Sequence, residues 1–206
     1  LCQTADEYER LVANPIRDEE EMTKRQLVAA ETQRGAIRLS QVNPDSDPTD
    51  SVGGVSFRHL SMLAQIKSSD GDVWSSLNRS GHIEGDPSDS LRVRLARMRS
   101  WIGGAHFPED AKLEIRSEIG DDARAEIGRD GIAFLRILSG LLSECEWTDA
   151  GIGESISEAC DSTGFSRKEG FSSIYWAVIG RRHGPKASSL LFEMDRGDIV
   201  SLLGSS

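Results

Sequence analysis

The 206 residues predict an all-α fold, a multi-helix bundle with at most one short strand near the N-terminus. Three observations carry this expectation. From Phe57 onward, apolar residues recur at spacings of three and four, the period of one helix face. The periodic runs open at Ser, Thr, Asp or Pro and close at Gly, the usual start and stop signals of helices. Only residues 36–42 alternate as a strand would.

Taken in order, residues 1–34 are expected to be helical, with a break near Asn14-Pro15. Asp18, Glu19, Glu20 and Glu21 follow the proline, where a helix N-terminus favours negative charge. Residues 36–42, Ala-Ile-Arg-Leu-Ser-Gln-Val, form the expected strand. Asn43 to Gly54 is rich in Asp, Pro, Ser and Gly without a period, as a loop is. Phe57, Leu60, Leu63, Ala64 and Ile66 mark the next helix. Asp70 is expected to cap another, which carries Val73, Trp74 and Leu77 and ends near Gly81. Asp86-Pro87-Ser88 opens a helix with Leu91, Leu95, Met98 and Ile102 on one side, closed at Gly103-Gly104. Pro108 to Arg116 is a short element of undefined type. Asp122 to Ser143 is the longest helix, with Ile127, Phe134, Leu135, Leu138, Leu141 and Leu142 on its apolar face. Gly131 and Gly140 weaken it. Thr148 or Asp149 caps a helix that Gly164 closes. Arg167 to Ile179 follows, with Phe171, Ile174, Tyr175 and Val178 expected on the core side. Gly184-Pro185 starts a helix carrying Ala187, Leu190, Leu191 and Met194, and Asp198 to Leu203 ends the chain.

Hydrophobic residues are 37% and charged residues 28%, ordinary for a soluble globular chain. No apolar run reaches the roughly 18 residues a membrane helix needs. Leu1-Cys2-Gln3-Thr4 has neither the basic nor the apolar region of a signal peptide, and no initiator Met. A piece of a longer polypeptide is expected. Cys2, Cys145 and Cys160 are odd in number and form no CxxC pair. Reduced thiols and a cytoplasmic location are expected. Metal-ligand spacing is absent, as are a GxxxxGK[ST] phosphate loop, HExxH, GxSxG and any kinase signature. On its own chemistry, the chain does not read as an enzyme.

The net charge is −10, which alone argues against a polyanion ligand. Binding is local, however, and positive charge collects in two places. Residues 91–102 hold Arg92, Arg94, Arg97 and Arg99 with no acid. Arg92 and Arg99 flank one side of the apolar stripe, Arg94 and Arg97 the other. Such arginines frame a packed face as readily as they meet a ligand. From Phe165 to Lys186, five basic residues (Arg167, Lys168, Arg181, Arg182, Lys186) face one acid, Glu169, for a local balance of +4 before His183. Arg181, Arg182 and His183 precede Gly184-Pro185 and a helix N-terminus, a phosphate-binding arrangement that is also a common way to cap a helix. Trp176 lies about 140° round the helix from Phe171, off the apolar stripe, where it can stack on an unpaired base or on a neighbouring helix.

The run Phe165-Ser-Arg-Lys-Glu-Gly-Phe-Ser-Ser-Ile-Tyr-Trp-Ala-Val-Ile-Gly-Arg-Arg-His-Gly-Pro-Lys-Ala-Ser-Ser-Leu-Leu191 resembles the closing motif of class I lysyl-tRNA synthetases. That motif has a Lys-Glu-x-Phe turn, an aromatic helix, a Gly-basic-x-x-Gly-Pro junction and a Leu-rich helix. Val55 to Leu60 with Leu63-Ala64-Gln65 is similar to the family's Phe-Arg-x-Leu…Gln helix. Arg94, Trp101 and Pro108-Glu109 match its Arg…Trp…Pro-Glu run, and Asp6-Glu7-Tyr8 resembles the segment after its ATP loop. The Gly-Pro junction also occurs in glutamyl-tRNA synthetases. The Rossmann catalytic domain is absent from the sequence. Gly81-His82-Ile83-Glu84-Gly85 is not the family's His-x-Gly-His signature, and no Lys-Met-Ser-Lys-Ser-like loop is present.

The resemblance implies an α-helix cage that grips the anticodon of tRNA(Lys), whose second and third bases are uridines. It implies three segments: a connection after the catalytic domain (1–50), a helical subdomain (51–120) and the anticodon-binding subdomain (121–206). Trp176, Arg181, Arg182, His183 and Lys186 are then expected at the anticodon, Lys168 at a phosphate, and Arg92 and Arg99 at the anticodon stem. No cofactor is expected in this chain; ATP and magnesium belong to the parent enzyme's catalytic domain, which is also an expected partner. Neither membrane nor DNA is. The alternatives are a glutamyl-type anticodon module and a helical protein-interaction domain without RNA.

Overall fold

Thr23 opens the helix Lys24–Ser40 by a reciprocal cap. Its hydroxyl accepts from the Gln26 backbone N–H at 3.4 Å, and the Gln26 side-chain oxygen accepts from the Thr23 N–H at 2.9 Å. The computed structural model describes residues 5, 7–9, 12, 22–40 and 55–205. Contacts divide the chain into two compact units, Leu1–Phe107 and Pro108–Ser206. Among the described residues every regular element is helical. The expected break at Asn14-Pro15, the acids of 18–21 and the loop of 43–54 lie outside them.

The first unit holds α1 (Lys24–Ser40), α2 (Phe57–Ile66), α3 (Asp70–Arg79) and α4 (Asp89–Ile102). The strand expected over 36–42 is overturned: residues 36–40 are the last turn of α1, and Gln41 and Val42 are not described. Two alternating apolar positions do not define a buried strand face, and Leu39 is 85% exposed. The preceding Ala, Glu, Gln and Arg residues are good helix formers, so extending the helix is favoured over a strand with no partner.

Three serines start the other helices. Ser56, Ser69 and Ser88 each accept a hydrogen bond from the backbone N–H three residues on. Ser69, not Asp70, is therefore the cap of α3; Asp70 and Asp72 fill its first turn, where the helix dipole favours acids. Leu60 and Leu63 of α2, Val73 and Leu77 of α3, and Leu91, Leu95 and Met98 of α4 are buried, and α2 packs on both α3 and α4.

The second unit begins with a 3-10 turn, Glu109–Ala111, and continues as α5 (Asp121–Glu144), α6 (Asp149–Thr163), α7 (Arg167–Ile179), α8 (Ala187–Phe192) and α9 (Arg196–Gly204). Residues 108–120 thus lie in the same compact unit as the segment after them. Thr148 is the cap of α6. α5 is the central element, packed by α6, α7 and α9 through Phe134, Leu135, Leu138 and Leu142, all fully buried. Its helical geometry is interrupted at Gly128 (φ 70°, ψ 175°). That backbone region is open essentially to glycine alone. Gly131 has a different task. A Cβ there would stand 2.9 Å from the Ser173 hydroxyl, so its bareness lets α7 approach α5. Gly170 does the same against Phe134 and the Cys160 thiol.

Small residues thereby decide which side of α7 is buried. Gly170, Ser173, Ile174, Ala177 and Val178 face inward. Phe171, expected with the core, is 37% exposed.

Gly128→Ala should lower stability by about 1–3 kcal/mol, because it forces a side chain into a strained conformation. Gly140 has open space around it, so Gly140→Ala should raise stability by about 0.5–1 kcal/mol. Urea unfolding midpoints of the two variants check the pair.

Candidate nucleic-acid interface

Serine again sets the start of the basic stretch. Ser166 caps α7 in a reciprocal box with Glu169, whose carboxylate accepts from both the Ser166 N–H and hydroxyl. These bonds hold the Glu169 carboxyl below its usual pKa. The one acid of the stretch is thus turned back onto the helix start.

At the other end, α7 closes on Gly180 in the left-handed conformation (φ 63°). A Cβ on Gly180 would lie 2.2–2.3 Å from the Arg116 guanidinium, so that group rests directly on the bare backbone. The Arg116 N–H donates to the Val178 carbonyl at 2.8 Å, and its guanidinium grips Asp122 through two bonds of 2.9 and 2.7 Å. The bond to Arg116, helped by the Ala123 backbone, pulls the Asp122 carboxyl from 3.8 to about 2. The same pairing raises the pKa of Arg116.

The junction between α7 and α8 is held at three points. Arg181 donates to the carbonyls of Asp110 and Glu109 at 2.7 and 3.0 Å. The Tyr175 hydroxyl donates to the Pro185 carbonyl, and Gly184 passes so close over the Tyr175 ring that a Cβ would stand 2.9 Å from it. Lys186 pairs with Asp149, which also accepts from Ser189. Burial raises the Asp149 pKa, but these bonds outweigh it and the net shift is downward.

The candidate residues therefore separate by circumstance. Arg181 and Lys186 are engaged in holding the junction. Lys168, Arg182 and His183 are exposed, with no side-chain partner among the described residues. Trp176 is half-buried on the same helix. In the first unit, Arg99 reaches from α4 to the carbonyls of Ala64 and Lys67, which end α2, and pairs with Asp70 at 2.7 Å. Arg92 donates to the Pro87 carbonyl. Side chains that cap a neighbouring helix leave no mark on the spacing of their own, so sequence alone does not separate them from free cations.

The first unit also holds a groove of about 540 Å³ floored by Phe57, Val93, Met98 and Trp101. Arg94 at its edge pairs with Glu9 at 2.6 Å, and Asp89 and Arg97 also line it. Among the described residues no cluster of His, Cys, Asp and Glu fits a metal ion, and no helix is long and apolar enough to cross a membrane.

Exposed cations thus stand at both ends of α7, with the half-buried Trp176 between them, and the likenesses to known proteins fall among lysine–tRNA ligases. The chain is 27% identical over 205 residues to the lysine–tRNA ligase of Methanopyrus kandleri, covering 93% of this chain and 34% of that protein. It is 26% identical over 176 residues to the lysine–tRNA ligase of Pyrococcus horikoshii, covering 81% and 32%. The lysine–tRNA ligase of Aeropyrum pernix matches at 26% over 169 residues, covering 78% and 30%. No family model matches. The resemblance to class I lysyl-tRNA synthetases carried by the motifs is thus found along most of the chain. The chain spans about a third of the length of the curated relatives it matches.

Two outcomes follow from this geometry. Asp122→Asn should lower stability at neutral pH. Because the folded pKa of Asp122 is depressed, its contribution is complete above the ordinary 3.8 and disappears as pH falls to about 2. The gap between the unfolding midpoints of wild type and variant should close across that window. Arg181→Ala should cost about 1 kcal/mol by freeing two carbonyls, while Arg182→Ala should stay within about 0.5 kcal/mol of wild type. Equal losses would show that the strap through Arg181 does not stabilise the unit.

Proposed function

We propose that this chain is the tRNA-binding part of a lysine–tRNA ligase and that its second unit reads the anticodon of tRNA(Lys). The observation that carries the proposal is the match to lysine–tRNA ligases over as much as 93% of the chain. The disposition of α7 supports it: Lys168 at one end, Arg182 and His183 at the other, and aromatic side chains between. These cations are exposed and have no side-chain partner among the described residues, so they can meet phosphates. Trp176 is a candidate to stack on a base splayed from the loop, and edge hydrogen bonds would supply discrimination. Arg181 and Lys186 act by positioning Arg182 and His183. Arg92 and Arg99 are assigned to the anticodon stem backbone, with Arg99 also ending α2.

The parent enzyme would activate lysine with ATP and magnesium in its catalytic domain, then transfer it to the tRNA 3′ end in the cytoplasm. This part would convert correct anticodon contacts into placement of the acceptor end. A helical protein-interaction role is the competing reading, favoured by the ion pairs that occupy Arg99 and Lys186.

Binding of the chain to a tRNA(Lys) transcript at two salt concentrations tests the proposal. Affinity should fall with salt, and should fall again when the two shared anticodon uridines are changed. Lys168→Ala and Arg182→Ala should each reduce the slope of log affinity against log salt by about 0.7, the value for one phosphate contact on a single strand. Salt-independent binding, or indifference to the anticodon, would sink it.

A further inference from the structure

Val93 of α4 is 49% exposed, while Leu91, Leu95 and Met98 of the same helix are buried. At 3.6 residues per turn, Asp89, Ser90, Ala96, Arg97 and Ser100 lie within about 60° of Val93 round the helix. All five are exposed. Neither Asp89 nor Arg97 has a side-chain partner among the described residues. Arg92 and Arg94 lie about 100° to either side of Val93. They are drawn away from it by the Pro87 carbonyl and by Glu9.

The order of the charges says what kind of partner fits. Asp89 and Arg97 stand symmetrically about Val93, one turn before it and one turn after, each about 6 Å along the helix axis. An acidic helix laid on this face would be opposed by Asp89, and a basic one by Arg97. Both charges are satisfied by a face that carries the same residues in the reverse direction, and α4 of a second copy is such a face. In a two-fold contact, residue i of one copy meets residue j of the other, and j meets i. With the axis through Val93, Asp89 of each copy faces Arg97 of the other, and the two valines meet on the axis. Ser90, Ala96 and Ser100 are small enough to let the two helices approach closely.

We propose that the outer face of α4 is the contact surface for a second copy of this chain, the two helices running antiparallel across Val93 and joined by reciprocal Asp89–Arg97 ion pairs. The proposal does not rest on the tRNA reading above. Arg92 and Arg99, assigned there to the anticodon stem, lie about 100–120° round the helix from Val93 and stay outside the contact.

Sedimentation velocity of the 206-residue chain over a concentration series tests the contact. The wild type should pass from monomer to dimer as concentration rises. Asp89→Arg sets like charges against each other at both pairs, and so does Arg97→Asp. Each should weaken self-association at least about tenfold, since opposed like charges cost more than one such factor. Mixing the two variants should restore a dimer, now a heterodimer, because a face with two cations then meets a face with two anions. The double variant, Asp89→Arg with Arg97→Asp, should self-associate as the wild type does. Recovery on mixing also shows that both single variants are folded. The proposal is overturned if the wild type stays monomeric at every concentration, or if both single variants dimerise as the wild type does. It is equally overturned if both lose the dimer and neither the mixture nor the double variant regains it.

Discussion

The second unit depends on the close approach of α7 to α5, and that approach depends on two missing side chains. Phe134 points from α5 at Gly170 of α7, where a Cβ would stand 3.1 Å from its ring. Gly131 of α5 leaves matching room for Ser173 of α7. Larger residues at either glycine would hold the helices apart and open a gap beside a fully buried phenylalanine. Deleting such a ring costs on the order of 3–5 kcal/mol, and a forced separation would forfeit part of the same contact. Everything on the outer side of α7, including its cations and exposed ring, is oriented by this seam.

A second theme recurs in both units. Helices end in carbonyls that need donors, and arginines from neighbouring elements supply them. Arg99 reaches the carbonyls that end α2. Arg196 reaches those of Leu142 and Ser143 at the end of α5 while lying over the Trp147 ring. Arg116 rests on the end of α7, and Arg181 reaches back to the 3-10 turn. In a chain of net charge −10, much of the arginine complement is thus structural. Among the described residues, Lys168 and Arg182 carry no such structural task.

Helices were legible in the sequence because their signals are local. Ser88, Thr148 and Gly164 announce ends that backbone hydrogen bonds then require, and the Arg167–Ile179 helix matches its expected bounds. The short alternation at residues 36–42 misled, because a strand is defined by a partner that sequence does not display. The break in α5 at Gly128 was not legible, since Gly128, Gly131 and Gly140 are chemically identical and only their surroundings assign them tasks. The candidate interface was legible as a concentration of charge. Which of its members hold the fold was not, because Glu109 and Asp110 accept from Arg181 across some seventy positions of sequence. Phe171 was counted with the core by periodicity alone; the competition for the inner side of α7 is won by smallness, which a hydrophobic pattern does not weigh.

The three anchors of the α7–α8 junction have a kinetic consequence. A loop carrying Arg182 and His183 between Gly180 and Pro185 would ordinarily sample many shapes and lose that freedom on meeting a ligand. Here the Tyr175 ring, the Glu109–Asp110 carbonyls and Asp149 already restrict it. The backbone adjustment that usually slows docking is therefore made at folding, and encounters with a ligand should be governed by diffusion and charge rather than by rearrangement of the loop.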